Sequence, residues 1–163
     1  MRNYFWTREL AACLVAASVW FLAARGAVAQ GSAEPASLHW SVPPVLPAGA
    51  LMAIVGGDPT GPGKSTLQLS MPNGYRIPPH FHPSYEHVEV KEGTLLVGMG
   101  DRLDPSRTQA LAAGDSATAP AGMHHFSIAK GRTVLSVTFM GPYTITYVRA
   151  EDAPRPTSFP FGY

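Results

Sequence analysis

Thiols are almost absent from this chain: among 163 residues there is one cysteine, Cys13. With no second thiol no internal disulfide forms, and redox chemistry on paired cysteines is excluded. Charge is scarce too. Asp, Glu, Lys and Arg make up 14% of the chain, with a net charge of +1 and no basic run. That balance argues against a nucleic acid as partner. Helical periodicity is missing past the N-terminal segment, and no internal repeat is present. What abounds is glycine and proline, 16 of each. That is the composition of many short strands joined by turns. A chain of this length makes one domain and is too short for two ordinary ones.

The first residues read as a targeting segment. Arg2 and Arg8 precede an apolar run, Leu10 to Ala24, which is short for a membrane span. Ala27-Val28-Ala29 then offers a small-x-small cleavage pattern, placing the cut before Gln30. The expectation is a signal peptide over 1–29, a periplasmic or secreted protein, and no stable membrane insertion after cleavage. Cys13 precedes the apolar run instead of following it, so no lipidation is read, and it leaves with the segment. Beyond the cut we expect a Pro-rich arm at 30–48, a barrel at 49–149 and a tail at 150–163.

Alternation of apolar and polar residues sets out the strands. We expect a short one at Leu38 to Val42, stopped by Pro43 and Pro44, then Leu51 to Val55. The stretch Gly56 to Thr66, GGDPTGPGKST, superficially resembles a phosphate loop. Asp58 stands where that loop needs glycine, Pro59 and Pro62 lack amide hydrogens, and Thr66 to Met71 alternates like a strand. We read a loop between strands. Further strands are expected at Glu86 to Lys91, Thr94 to Met99, Thr108 to Leu111, Gly114 to Ala119, Met123 to Ile128, Val134 to Phe139 and Tyr143 to Val148. The Asp101 and Asp104 pair has too few oxygen neighbours for calcium and reads as a solvated loop. His39 stands alone and reads as a surface residue.

The chemistry concentrates in Gly74 to Gly93, GYRIPPHFHPSYEHVEVKEG. His80 and His82 are two apart, so on a strand both imidazoles point to one face. Pro78 and Pro79 hold the backbone extended before them. Glu86 follows after the Pro83-Ser84 break, and a short turn brings it beside the pair. Two imidazoles and a carboxylate on one face make a site for a divalent first-row metal. Glu86, Val88 and Val90 share one face of their strand and His87, Glu89 and Lys91 the other, which turns His87 outward.

This spacing resembles the first motif of the cupin superfamily, with Gly74, His80, His82, Glu86 and Gly93 at its fixed positions. The second motif is matched by Gly114, Pro120, Gly122 and His125, whereas Ala129 stands where the pattern has Asn. The resemblance covers roughly Leu51 to Val148. It implies an all-β, cupin-type double-stranded β-helix, a jelly-roll barrel in a single domain. It also assigns His125 inward as fourth ligand and leaves His124 facing outward or at the barrel mouth.

Three imidazoles and one carboxylate leave about two open positions on a six-coordinate metal. Fe(II) or Mn(II) suits that set, with Zn, Ni, Co and Cu as alternatives. Two functions stay open: a metal-dependent enzyme or an exported protein that binds a metal or small molecule without turnover. The enzyme would act on a small carboxylate, enol, phenol or carbonyl compound, as oxygenase, decarboxylase, isomerase or lyase. Tyr75, Tyr85, His87 and His124 are the candidates for a catalytic or supporting role. A polar, protonatable wall would favour lyase or isomerase chemistry, and an apolar wall simple oxygen chemistry or binding. The arm and tail are candidates for a homodimer contact.

Overall fold

The computed structural model describes residues 37–155, and the 1–29 segment falls outside it. The described chain is β1 (Leu51–Gly56), β2 (Gly63–Met71), β3 (Arg76–Phe81), β4 (Glu86–Met99), β5 (Thr108–Ala112), β6 (Ser116–Ala119), β7 (His125–Gly141) and β8 (Thr146–Tyr147). Two 3₁₀ turns, Pro105–Arg107 and Ala150–Asp152, are its only helical pieces among the described residues. This is the all-β architecture the alternation predicts.

The scaffold is the antiparallel pair β4–β7, in register from Glu86 opposite Phe139 to Met99 opposite His125. Both strands are longer than expected. The sequence reads breaks at Gly93 and Gly131, but each chain bends there and continues, giving strands of 14 and 17 residues. Gly93 lies at φ 75° and Gly131 at φ 77°, which only glycine adopts without strain. At Gly93 a Cβ would stand 2.2 Å from the Arg132 carbonyl oxygen, so the bend excludes any side chain. The register shifts around Glu92 mark the same bend.

Each end of this pair recruits other strands. The C-terminal half of β7 pairs with β2, and β1 pairs with β2 beyond it. The N-terminal half of β7 pairs with β3, which carries β8 on its other edge. β4 takes β6 beside its first half and β5 beside its second. The two halves enclose one core. On β2, Ser65, Leu67, Leu69 and Met71 are buried while the residues between them are partly exposed. Beside them on β7 stand their cross-strand partners Leu135, Val137 and Phe139, and Leu95 of β4 joins the same core, each nearly inaccessible. Burying each such side chain contributes about 1.5–3 kcal/mol.

Other boundaries shift for local reasons. Leu38 to Val42 yields one bridge, Ser41 to Met52, because Pro43 and Pro44 cannot continue a ladder. Lys64 and Ser65, read as loop, already belong to β2. Of Tyr143 to Val148 only Thr146–Tyr147 pairs as a strand. Asp104 caps the first 3₁₀ turn through Ser106, consistent with its reading as a loop residue.

Candidate metal centre

The four predicted ligands arrive from three strands. His80 lies on β3, directly opposite His125 at the start of β7. His82 follows one residue past β3, and Glu86 opens β4. The rings of His80 and His125 are 4.3 Å apart between centroids, and those of His80 and His82 5.0 Å. One potential ligand atom from each of the four lies within 4.8 Å of all the others. All four residues are buried, His80 at 3% and Glu86 at 9% exposure.

The backbone fixes the imidazole tautomers. His80 Nδ1 is 2.7 Å from the Pro78 carbonyl, His82 Nδ1 is 2.7 Å from the Thr144 carbonyl, and His125 Nδ1 is 2.9 Å from the Met123 carbonyl. A carbonyl oxygen only accepts, so each Nδ1 carries the proton and donates it. In the neutral rings every Nε2 is then a bare lone pair. Those lone pairs face a carboxylate, which also only accepts: Glu86 Oε2 is 3.3 Å from His125 Nε2 and Oε1 is 3.4 Å from His82 Nε2. His82 Nε2 is buried without a hydrogen-bond partner. Acceptors converging in a dry site favour a positive charge between them, a proton on an imidazole or a metal ion, and nitrogen and oxygen donors in this ratio fit a divalent first-row metal. The Nδ1 contacts are the outer hydrogen bonds that orient histidine ligands at metal sites.

The protonation tendencies agree. Burial, then the neighbouring His125, push His80 down to about 3. Burial raises Glu86, but its contacts with His125 and His82 outweigh it and hold the carboxyl well below its ordinary range. For His82 burial works downward, and Glu86 outweighs it and raises the ring. The cluster favours an anionic Glu86 and one positive charge shared beside it.

His80, Glu86 and His125 line a cavity of about 40 Å³, whose remaining wall is mostly apolar, including Ile77, Val88, Val97 and Leu135. Beyond the ligands its polar lining residues are Ser127 and Tyr143. Tyr143 is the functional candidate that sequence reasoning missed. Its ring stacks on His82 at 5.4 Å and packs on Phe139 at 4.6 Å. Burial first, then the charge of Glu86, hold its phenol well above the ordinary range, so it keeps its proton. A signal was available: in the expected strand from Tyr143, alternation puts Tyr143, Ile145 and Tyr147 on one face, and these are less exposed than Thr144 and Thr146 between them.

None of the four candidates for a supporting role lines this cavity. His87 points to the outer face, 2.8 Å from Thr118 Oγ1, and His124 pairs with Asp101 at 2.6 Å on the surface. Tyr85 is exposed, and the Tyr75 hydroxyl donates to the Pro47 carbonyl. Ala129, in place of the motif's Asn, is buried, and its backbone joins Gly74 and Tyr75.

Comparison with known proteins bears on these observations. The Cupin domain family matches residues 67–141. A germin-like protein 9-3 of rice (Oryza sativa subsp. japonica) is 33% identical over 110 residues, covering 61% of this chain and 51% of that protein. A putative germin-like protein 9-2 of the same plant is 42% identical over 72 residues, 44% of this chain and 34% of its own length. The chain thus spans a third to a half of these curated relatives. The crystal structure of an RmlC-like cupin from Shewanella frigidimarina NCIMB 400 superposes with a TM-score of 0.52 at 19% identity, covering 63% of this chain and 83% of that one. No helix among the described residues is long and apolar enough to cross a membrane.

Proposed function

This chain belongs to the cupin superfamily, and from that premise we propose that it holds a divalent metal through His80, His82, Glu86 and His125 and works on a small molecule there. The observation that carries the reading is the inward turn of three bare Nε2 atoms and one carboxylate, each ring locked by a backbone carbonyl. Iron(II) or manganese(II) suits the donor set best, with zinc, nickel, cobalt and copper as weaker alternatives. Such a metal supplies Lewis acidity and open positions for a carboxylate, enolate, phenolate or carbonyl oxygen.

The chain's own residues then set the reaction class. Ile77, Val88, Val97 and Leu135 keep the ligand's surroundings dry. Tyr143 holds its proton beside Glu86 and serves as a hydrogen-bond donor to whatever occupies the centre. Beyond the ligands the cavity wall offers no imidazole or carboxylate among the described residues, and its only proton-bearing side chains are the Tyr143 phenol, which keeps its proton, and the Ser127 hydroxyl. That wall favours an oxidoreductase using oxygen over a lyase or isomerase. It also sustains the second reading, a binding protein without turnover, since fold alone does not fix activity.

The same proposal includes export, a barrel over 49–149 and a homodimer, which intact mass of exported protein and light scattering would test. The central test is elemental analysis of protein purified without added metal or chelator, followed by oxygen-uptake screening of small carboxylates, enols and phenols. Near-stoichiometric iron or manganese is expected. Protein that carries no metal and takes none up on reconstitution would overturn the reading.

A further inference from the structure

Of the sixteen residues that line the metal cavity, fourteen stand on strands and two do not: Tyr143 and Leu46. A strand residue is held by its ladder. Tyr143 is held by its ring, packed between His82 and Phe139, and by its amide, which donates to the Pro59 carbonyl at 2.7 Å. Leu46 belongs to a different kind of element. It sits on the strap Pro43–Pro47, between the Ser41–Met52 bridge and β1. Three of the strap's five residues are prolines, which have no amide hydrogen, so the strap cannot join a sheet. Its one internal backbone bond, Leu46 amide to Pro43 carbonyl, is long at 3.4 Å.

Two phenols hold the strap, beside the burial of Pro43 and Leu46. The Tyr147 hydroxyl donates to the Val45 carbonyl at 2.9 Å, and the Tyr75 hydroxyl donates to the Pro47 carbonyl. The two carbonyls flank Leu46 on either side. Pro44 and Val45 face solvent, while Leu46 is only 5% exposed and points into the cavity. Tyr147 also stands near His80, with ring centroids 6.1 Å apart, so one clamp rises from beside the ligands themselves.

Resting on the metal-binding reading above, we propose that Leu46 is the movable wall of the metal cavity, and that its strap, clamped by Tyr75 and Tyr147, sets the size limit for ligands. With Leu46 in place the cavity of about 40 Å³ accepts about three water-sized groups. No Lys or Arg among the described residues lines it. The ligand class that fits is therefore a small molecule with a single metal-binding head group, such as a short monocarboxylate. It carries no second charge, which would lie buried without a partner. Larger ligands enter only when the strap lifts.

Two measurements test this. The first needs no metal: diethyl pyrocarbonate labelling of the metal-free protein, with each histidine quantified by peptide mass spectrometry. His39, His87 and His124 serve as internal controls. In a Tyr75→Phe/Tyr147→Phe variant, loss of two hydrogen bonds should speed labelling of His80, His82 and His125 about tenfold while the controls stay unchanged. Equal labelling of the three buried histidines in variant and parent overturns the strap as gate, and so does a matching rise at the controls. The second measurement titrates zinc-loaded protein with acetate and with benzoate by calorimetry. The parent should bind acetate only, and Leu46→Ala, which keeps both clamps, should bind both. Benzoate binding that Leu46→Ala leaves unchanged, whether present or absent, overturns the size limit. If neither form takes up metal, the metal-binding reading fails and the labelling result still decides the gate.

Discussion

Replacing Glu86 by glutamine separates the metal site from the fold. Glutamine has the same shape and loses the charge. In metal-free protein at alkaline pH, once the histidines have lost their extra protons, the Glu86 oxygens face His125 Nε2 at 3.3 Å and His82 Nε2 at 3.4 Å, acceptor against acceptor. The amide of Glu86→Gln can donate to one of these nitrogens. Its net worth is about 1 kcal/mol, so the variant should be the more stable of the two. At lower pH the sign reverses. The raised pKa of His82 stabilises the fold below the ring's ordinary range and is lost as pH rises through the folded value. The lowered pKa of Glu86 stabilises above the ordinary carboxylate range and is lost as pH falls through the folded value. Both contributions are present together between roughly pH 4.3 and 6.5, where the parent should be more stable than Glu86→Gln. Metal changes the comparison again. A hundredfold excess over Kd adds about 2.7 kcal/mol, or roughly 10 °C in Tm for a domain of this size, to the parent. The variant, missing its anionic ligand, should show little of that shift. Thermal melts at both pH values, with and without manganese(II), read all of this. A full metal-induced shift in Glu86→Gln would refute the carboxylate as a ligand. A loss of several kcal/mol at the higher pH would refute the acceptor-facing geometry.

The histidines give a simpler contrast: His80→Ala and His125→Ala should each lose most bound metal by elemental analysis, whereas His87→Ala, on the outer face beside Thr118, should keep it. Tyr143→Phe should leave metal content unchanged because its ring still packs on His82. Tyr143→Ala removes that ring and should weaken metal binding about 10–100-fold, the range seen when supports behind metal ligands are lost; competition against a chromophoric chelator measures it. At Gly98 a Cβ would stand 2.1 Å from the fully buried Phe126 ring. Gly98→Ala should therefore cost about 1–3 kcal/mol in a urea melt, and an unchanged midpoint would show that Phe126 can move aside.

What the sequence by itself determined is local. Period two puts His80 and His82 on one face and His87 opposite Glu86, because a strand's geometry relates residues two apart without reference to anything else. The glycine and proline positions marked where the chain turns. They could not say whether a strand ends or merely bends: Gly93 and Gly131 bend β4 and β7, and the ladder between the two strands runs through. His125 was separable from His124 only through the motif, since neighbours alternate and periodicity does not say which of them faces inward. The tertiary structure decided everything that joins distant residues. Thr144 supplies the carbonyl that orients His82 from 62 positions away. Tyr143 reaches the same ring because β7 returns alongside β4, bringing Phe139 opposite Glu86. Leu46 closes the cavity because Tyr147, 102 residues beyond Val45, holds the strap across it. Such contacts depend on strand register and on which hydroxyl meets which carbonyl. Those are set by packing the whole sheet at once, and no window of sequence contains them.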